Sequence, residues 1–163
     1  MANKDRPRGF KPTGVLLRAT EYTASAAIYP GDPVALAASG KVARSAGSAL
    51  IGVALGYAAA DGDKILVADH PDQQFVAQSD SALADISVVG GNYDITLGTA
   101  NTAYKVSTAE IDGDTADAAT EATNAIKILA LSPEVGNDWG ADCDVICKIN
   151  NHQLAGGTGS AAV

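Results

Sequence analysis

A chain of 163 residues with 5% aromatic side chains and a formal net charge of −8 has the length of one domain with a core of small aliphatic side chains. Residues 1–18 carry five cations and one acid, a local charge of +4, which leaves −12 for the rest of the chain. Because an acidic body repels phosphate, we expect no direct nucleic-acid partner.

The N-terminal stretch differs in character from this acidic body. Residues 1–14, MANKDRPRGFKPTG, hold two prolines, two glycines, four cations and one aromatic side chain, Phe10. This composition predicts an extended arm rather than a helix or a core strand. The arm is either a disordered terminus or a segment that drapes over a neighbouring subunit, with Phe10 in a pocket and the cations on acidic surface.

The stretch 29–60 organises the chain that follows the arm. Pro30 and Gly31 predict a type II turn, and the residue before Pro33 returns the chain to extended geometry. Three strands are then predicted, at 34–36, 41–44 and within the apolar run 50–59, where Gly52 and Gly56 stand four residues apart. This succession is typical of a β-meander.

Further short strands are predicted on both sides of that stretch, at 15–18, 64–69, 73–78, 93–97, 105–108, 126–132 and 143–150. A link is predicted at 21–27 and a helical turn at 81–85. The acidic segment 109–125 is predicted to be a solvated loop, with a helical turn over 117–122. Many short strands with little helical periodicity predict an all-β protein, a barrel or a sandwich. We expect an arm at 1–14, a compact β-barrel domain at 15–154 and a flexible C-terminal tail at 155–163.

The apolar runs and cysteines predict where the protein folds. No apolar segment follows the N-terminal cations, so we expect no secretory signal peptide. The run 50–59 is shorter than the roughly 20 apolar residues that span a bilayer. Cys143 and Cys147 lie four apart in a predicted strand, about 13 Å from each other and beyond disulfide reach. We predict free thiols, folding in the cytosol and no membrane partner.

No motif for catalysis or metal binding stands out. His70 and His152 follow predicted strands beside turn residues, where local hydrogen bonding is the simpler role, and no G-x-S-x-G is present. The two cysteines lack zinc-site spacing, and the carboxylates at 110–117 do not match a calcium loop. The Gly90-Gly91 and Gly156-Gly157 pairs have no phosphate-loop sequel. We expect no enzyme activity and no cofactor.

Four stretches resemble head-decoration, or cement, proteins of tailed bacteriophages. They are MANKDRPRGFKPTG at 1–14, PGDPVALAASGKVARSAGSALIGVALGYAAA at 30–60, DHPDQQFVAQSD at 69–80 and DVICKINNHQ at 144–153. The resemblance implies a β-barrel or β-tulip-like fold that forms homotrimers on the outer capsid surface. It further implies the major capsid protein as partner, reinforcement of the expanded head, folding in the host cytoplasm and location in the virion.

On that basis we expect the shell contacts to come from the arm, through Lys4, Arg6, Arg8, Phe10 and Lys11. Trp139 is a candidate trimer contact. Two other functional classes are also compatible with the sequence. One is a head fibre or adhesin that binds the host surface, and the other is a small trimeric β-barrel nucleotide hydrolase, for which the tail offers glycines but no aromatic side chain to stack on a base.

Overall fold

A computed structural model of the protein describes residues 3–114 and 121–155. In this part of the chain there are eleven strands, two single 3₁₀ turns at Ile86–Val88 and Glu121–Thr123, and no α-helix. The all-β prediction is confirmed. The strands are Lys11–Pro12 (β1), Ala19–Thr23 (β2), Pro33–Leu36 (β3), Val42–Arg44 (β4), Gly52–Ala54 (β5), Lys64–Ala68 (β6), Gln74–Gln78 (β7), Asn92–Thr96 (β8), Glu110–Asp112 (β9), Ile126–Leu131 (β10) and Asp144–Ile149 (β11).

The strands form two antiparallel sheets in a sandwich-like arrangement. The larger sheet has the order β1-β7-β11-β10-β8-β9, and the smaller has the order β2-β6-β5-β3-β4. The larger sheet curls until Ile111 of β9 meets Ser79, just after β7, in one isolated parallel bridge. Within the described residues this single bridge does not make a continuous closed barrel.

The smaller sheet corrects the predicted meander. In a meander β4 would lie between β3 and β5, but here β3 occupies the centre and pairs with both. β4 is therefore an edge strand, and β5 continues the sheet through β6 to β2. The apolar run 50–59 contains only three residues of strand, although the Leu55 amide still donates to the Leu66 carbonyl of β6 at 2.9 Å and Ala58 forms an isolated bridge with Ile28.

Two strand predictions were wrong for reasons of tertiary structure. The predicted strand 15–18 is a crossing segment between the sheets, in which the Leu17 amide donates to the Gln73 side chain at 2.9 Å instead of to a neighbouring strand. The strand lies at Ala19–Thr23, after the predicted strand, and its last three residues overlap the link predicted at 21–27. Residues 105–108 form no strand, because Lys105 has φ of 53°, which is left-handed backbone that strands do not contain.

The acidic segment was also misjudged in part. β9 lies in it, with Ile111 fully buried. The predicted turn at 117–122 lies mostly outside the described residues. So does the predicted tail, apart from Ala155. The helical turn predicted at 81–85 is displaced to Ile86–Val88, where the Asp85 carboxylate accepts from the Ser87 amide at 2.7 Å as an N-cap.

Strand alternation builds the core. On β11, Val145, Cys147 and Ile149 point inwards while their neighbours are half-buried. The larger of two apolar clusters packs on the larger sheet, and the smaller packs on β3 to β6. The clusters are separate, and β5 contributes to both, since Val53 belongs to the larger and Ala54, on the opposite face of the strand, to the smaller. No helix in the described residues is long and apolar enough to cross a membrane.

Two charged networks tie the connecting segments to the sheets. The carboxylate of Asp69, 1% exposed, accepts from Arg18 Nε and from the Tyr22 hydroxyl, each at 2.8 Å. Burial alone would raise the pKa of Asp69, but these hydrogen bonds outweigh it and lower that pKa. Burial and the bond to Asp69 raise the pKa of Tyr22 to about 12.

The second network joins the two sheets through Arg44. Its Nε lies 2.9 Å from Oδ1 of the fully buried Asp32, an ion pair rather than an aligned hydrogen bond. Its Nη2 donates to the Leu97 carbonyl at 2.8 Å, just after β8. One guanidinium therefore connects the smaller sheet with the larger.

Candidate interaction surface around the N-terminal arm

The arm, residues 3–12, lies along its own body and is held there mainly by the Gln78 side chain. The Arg6 amide donates to Gln78 Oε1 at 2.7 Å, and Gln78 Nε2 donates to the carbonyls of Lys4 at 2.9 Å and Asp142 at 2.8 Å. Gln78 is 3% exposed. Its amide thus joins the arm to the loop before β11 and has partners for both polar atoms, as a buried amide requires.

A second clamp lies at the beginning of the described arm. Asn3 Nδ2 donates to the carbonyls of Asp138 at 2.7 Å and Ala141 at 2.9 Å, and Asn3 Oδ1 accepts from the Asp138 amide at 3.1 Å. These three bonds fix the arm to the loop that carries Trp139. The arm conformation is therefore ordered by its own chain.

Phe10 belongs to the core of this chain. It is 1% exposed, lies in the larger apolar cluster, and its amide donates to the Gly31 carbonyl at 2.9 Å. The next two residues form β1 and pair with β7. The expectation that Phe10 sits in a pocket of another subunit is corrected by this placement, because a ring buried in its own chain is not available to a partner.

The predicted cations of the arm divide into two groups. Lys4, Arg6 and Lys11 are exposed and form no ion pair within the described residues. Arg8 is half-buried, and its Nη2 lies 2.9 Å from Asp144 Oδ2 and 4.0 Å from Glu134 Oε2. Three cations can therefore meet an external partner, whereas Arg8 already has internal partners.

An open cleft of about 340 Å³ lies between the arm and the turn at 134–137. Cations of the arm form one wall, and Glu134, Asp142 and Asp144 contribute to the other. Val135 projects fully exposed at the tip of the turn. Burial raises the pKa of Asp144, Arg8 opposes that shift and Glu134 adds to it. The cleft combines both charge signs with an apolar rim, a composition suited to protein contact.

An acidic group lies near the arm and the cleft. Asp80 stands two residues after Gln78, and its amide donates to the Ile111 carbonyl at 3.0 Å, which brings it next to Glu110. Burial, and then the charges of Asp5, Asp80 and Asp142, raise the pKa of Glu110 to about 7. Asp5 belongs to the arm and Asp142 lines the cleft, so Glu110 is influenced by acids of both.

Trp139, the candidate trimer contact, is half-buried and packs against the larger apolar cluster. The backbone around it is held by Asn3 on one side and by the Leu83 amide, which donates to the Gly140 carbonyl at 3.2 Å. Its role in a trimer stays a prediction, because such a contact would lie between copies of the chain.

The histidines and cysteines lie in structural positions. His70 Nδ1 accepts from the Asp72 amide at 3.1 Å and His152 Nδ1 from the Leu154 amide at 3.0 Å, which confirms the predicted turn bonding. Both cysteines are buried free thiols, and burial raises the pKa of each. Within 3–114 and 121–155, no three metal-binding side chains come together.

Sequence reasoning found the cations of the arm but missed the two amides that hold it. Gln78 carried no signal, since alternation places it on the face of β7 opposite to the core residues Phe75 and Ala77. Its side chain is bonded to the arm on that face. Asn3 carried no signal either. Its partners are backbone groups far along the chain, which sequence spacing does not reveal.

No protein-family model matches the chain, and no curated protein matches it.

Proposed function

We propose that this protein is a decoration protein of a tailed-bacteriophage head. In this proposal it binds the outer surface of the major capsid protein shell and stabilises the expanded head, as trimers at three-fold and quasi-three-fold sites. The sequence resemblance at four stretches supports the proposal. The observation that carries it is the docked arm, which presents three exposed, unpaired cations on an otherwise acidic body.

The docked state of the arm favours binding. Gln78 and Asn3 hold the backbone of the arm in the free protein. Binding therefore does not have to order the whole segment, and this lowers the entropy cost of association. Three arms related by C3 symmetry would multiply a modest contact, because linked contacts raise avidity by about 10²–10⁴.

A charge-reversal experiment tests this function. Lys4→Glu with Arg6→Glu changes two exposed side chains and leaves Phe10 in the core, whereas deletion of 2–12 would also remove that ring. We expect binding to purified expanded heads of the phage that encodes the protein to weaken by about tenfold or more, since reversed rim charges oppose association. Co-sedimentation with the heads measures this.

Lys64→Glu with Lys127→Glu is the matched control. It introduces the same change in net charge on β6 and β10, away from the arm, and we expect it to bind heads like the unmodified protein. Equal weakening by both pairs would mean that only net charge matters. An unmodified protein that ignores heads and binds host cells would overturn the proposal in favour of an adhesin.

A further inference from the structure

A second concave surface borders the arm further along the chain, at residues 8–12. It is a groove of about 260 Å³ whose apolar walls come from the arm, the 30–31 turn, the end of β5 and the segment after Lys105. The walls that a ligand can contact are formed by the half-buried residues Pro12, Pro30, Leu55 and Val106, whereas Phe10 lies beneath them with 1% of its surface exposed. This groove is separate from the cleft, although Arg8 borders both.

Small residues explain why a groove exists at this place. Gly31 and Ala54 line it, and the Gly31 amide donates to the Ala54 carbonyl at 2.9 Å. Gly9 crosses directly over Gly31, where a Cβ on Gly9 would lie 2.6 Å from the Gly31 carbonyl oxygen. The backbones therefore approach closely, and no side chain rises to fill the space between the walls.

The rim of the groove is cationic. Arg8 and Lys11 border it, and Lys105 precedes the wall residue Val106. The Lys105 ammonium lies 4.4 Å from the centre of the Tyr57 ring, which packs on Tyr29 at 5.3 Å. Among the residues described, no carboxylate lines the groove. In a protein of net charge −8, this local charge selects acidic partners.

Size and composition narrow the class of ligand. The volume lies below the roughly 300–1,000 Å³ of small-molecule and cofactor sites, but it accommodates one large apolar side chain. Arginine beside an apolar pocket is typical of the centres of protein interfaces. We propose that the groove binds an extended acidic segment of a partner protein, with one large apolar side chain between the walls and its flanking carboxylates on Lys11 and Lys105.

The arm completes this site. Pro12 forms a wall only while the arm is docked, through the bond from the Phe10 amide to Gly31 and the pairing of β1 with β7. A segment in the groove therefore stabilises the docked arm, and the docked arm in turn favours that segment, because the two equilibria are linked.

Synthetic peptides test the groove without any phage component, so the result is independent of head binding. The probe is a fluorescein-labelled peptide, Glu-Asp-Glu-Leu-Asp-Glu-Asp, titrated with the full chain by fluorescence anisotropy. We expect saturable binding that weakens about tenfold to a hundredfold when the leucine is replaced by serine, since the buried apolar side chain is lost. A peptide with lysines in place of its acids should not bind.

Protein variants locate the binding. Lys11→Glu with Lys105→Glu should weaken peptide binding by about tenfold, whereas Lys64→Glu with Lys127→Glu should leave it unchanged. Val106→Asp should abolish it, with Ile86→Asp as the control for an exposed apolar residue far from the groove. If Val106→Asp does not fold, as judged by its circular dichroism, the lysine pair decides. Equal binding of the leucine and serine peptides, equal weakening by both lysine pairs, or no saturable binding at all would overturn the proposal.

Discussion

Glu110 is the residue through which the arm region responds to pH. It is half-buried beside the carboxylates of Asp5, Asp80 and Asp142, and burial followed by these charges raises its pKa to about 7. Its ordinary value is 4.5. Between these two values the folded state binds more protons than the unfolded state, so stability falls as the pH rises through this window. Above pH 7 the penalty is fully present.

Glu110→Gln removes this penalty. We expect the variant to be more stable than the unmodified protein at pH 8 by about 1 kcal/mol, a figure that allows for solvent screening of a partly exposed group, and the difference to shrink towards pH 4.5. This corresponds to a Tm about 2–4 °C higher at pH 8. Thermal unfolding at both pH values measures it. Glu21→Gln, which changes an exposed glutamate on β2, is the control. If Glu110→Gln raised the stability equally at both pH values, the raised pKa of Glu110 would not be the cause.

At the scale of one element, β5 depends on a single glycine. Gly52 is buried, and a Cβ there would collide with the Ala68 carbonyl oxygen and lie 2.7 Å from Val67 Cγ1. Gly56, four residues later, has no atom within 4 Å of the same position. The two glycines stood out equally in the sequence, but only one of them is required by packing.

Gly52→Ala and Gly56→Ala therefore form a matched pair. We expect Gly52→Ala to lower the free energy of unfolding by about 2 kcal/mol or more, because β5 must move away from β6. Gly56→Ala should change it by about 0.5 kcal/mol or should stabilise, since alanine restricts the unfolded chain. Urea denaturation of both proteins measures the difference. Similar losses in the two variants would show that β5 relaxes freely.

Individual strands differ in how well the sequence predicts them. β10 and β11 alternate strongly and were located to within a residue, at Ile126–Leu131 and Asp144–Ile149. β9 was missed because its acidic neighbours conceal one inward side chain, Ile111. β2 was misplaced because a polar edge strand has little apolar alternation. Its pairing with β6 decides its position, and that contact between distant residues leaves no local pattern.

For the candidate surface around the arm, the sequence also predicts local features but not contacts between distant segments. Its cations were predictable from local charge, and three of them are exposed. That Phe10 packs inwards was not predictable, since an isolated aromatic side chain in an extended segment fits its own core as well as a partner. The groove beside the arm was missed entirely. It is formed by four segments that only the fold brings together.

For the whole molecule, the question is whether two sheets with two apolar clusters unfold as one unit. β5 contributes to both clusters, because its adjacent residues Val53 and Ala54 belong to different ones. Arg44 adds a polar connection, since it contacts buried Asp32 in one sheet and the Leu97 carbonyl beside the other. The strand that packs on both clusters and the side chain that joins both sheets oppose independent unfolding, so we expect cooperative two-state behaviour.

Arg44→Met tests this coupling. It leaves the fully buried Asp32 carboxylate without its counter-charge, so we expect a loss of about 2–4 kcal/mol, reduced from the upper range for buried pairs because Arg44 is partly exposed. Trp139 fluorescence reports the larger cluster, and far-UV circular dichroism reports both sheets. In urea both transitions should shift together to lower concentration. Arg6→Met, which removes an exposed cation from the arm, should leave them in place. Separate transitions in the unmodified protein would show instead that the two sheets unfold independently, and Arg44 would then stabilise only the sheet that holds Asp32.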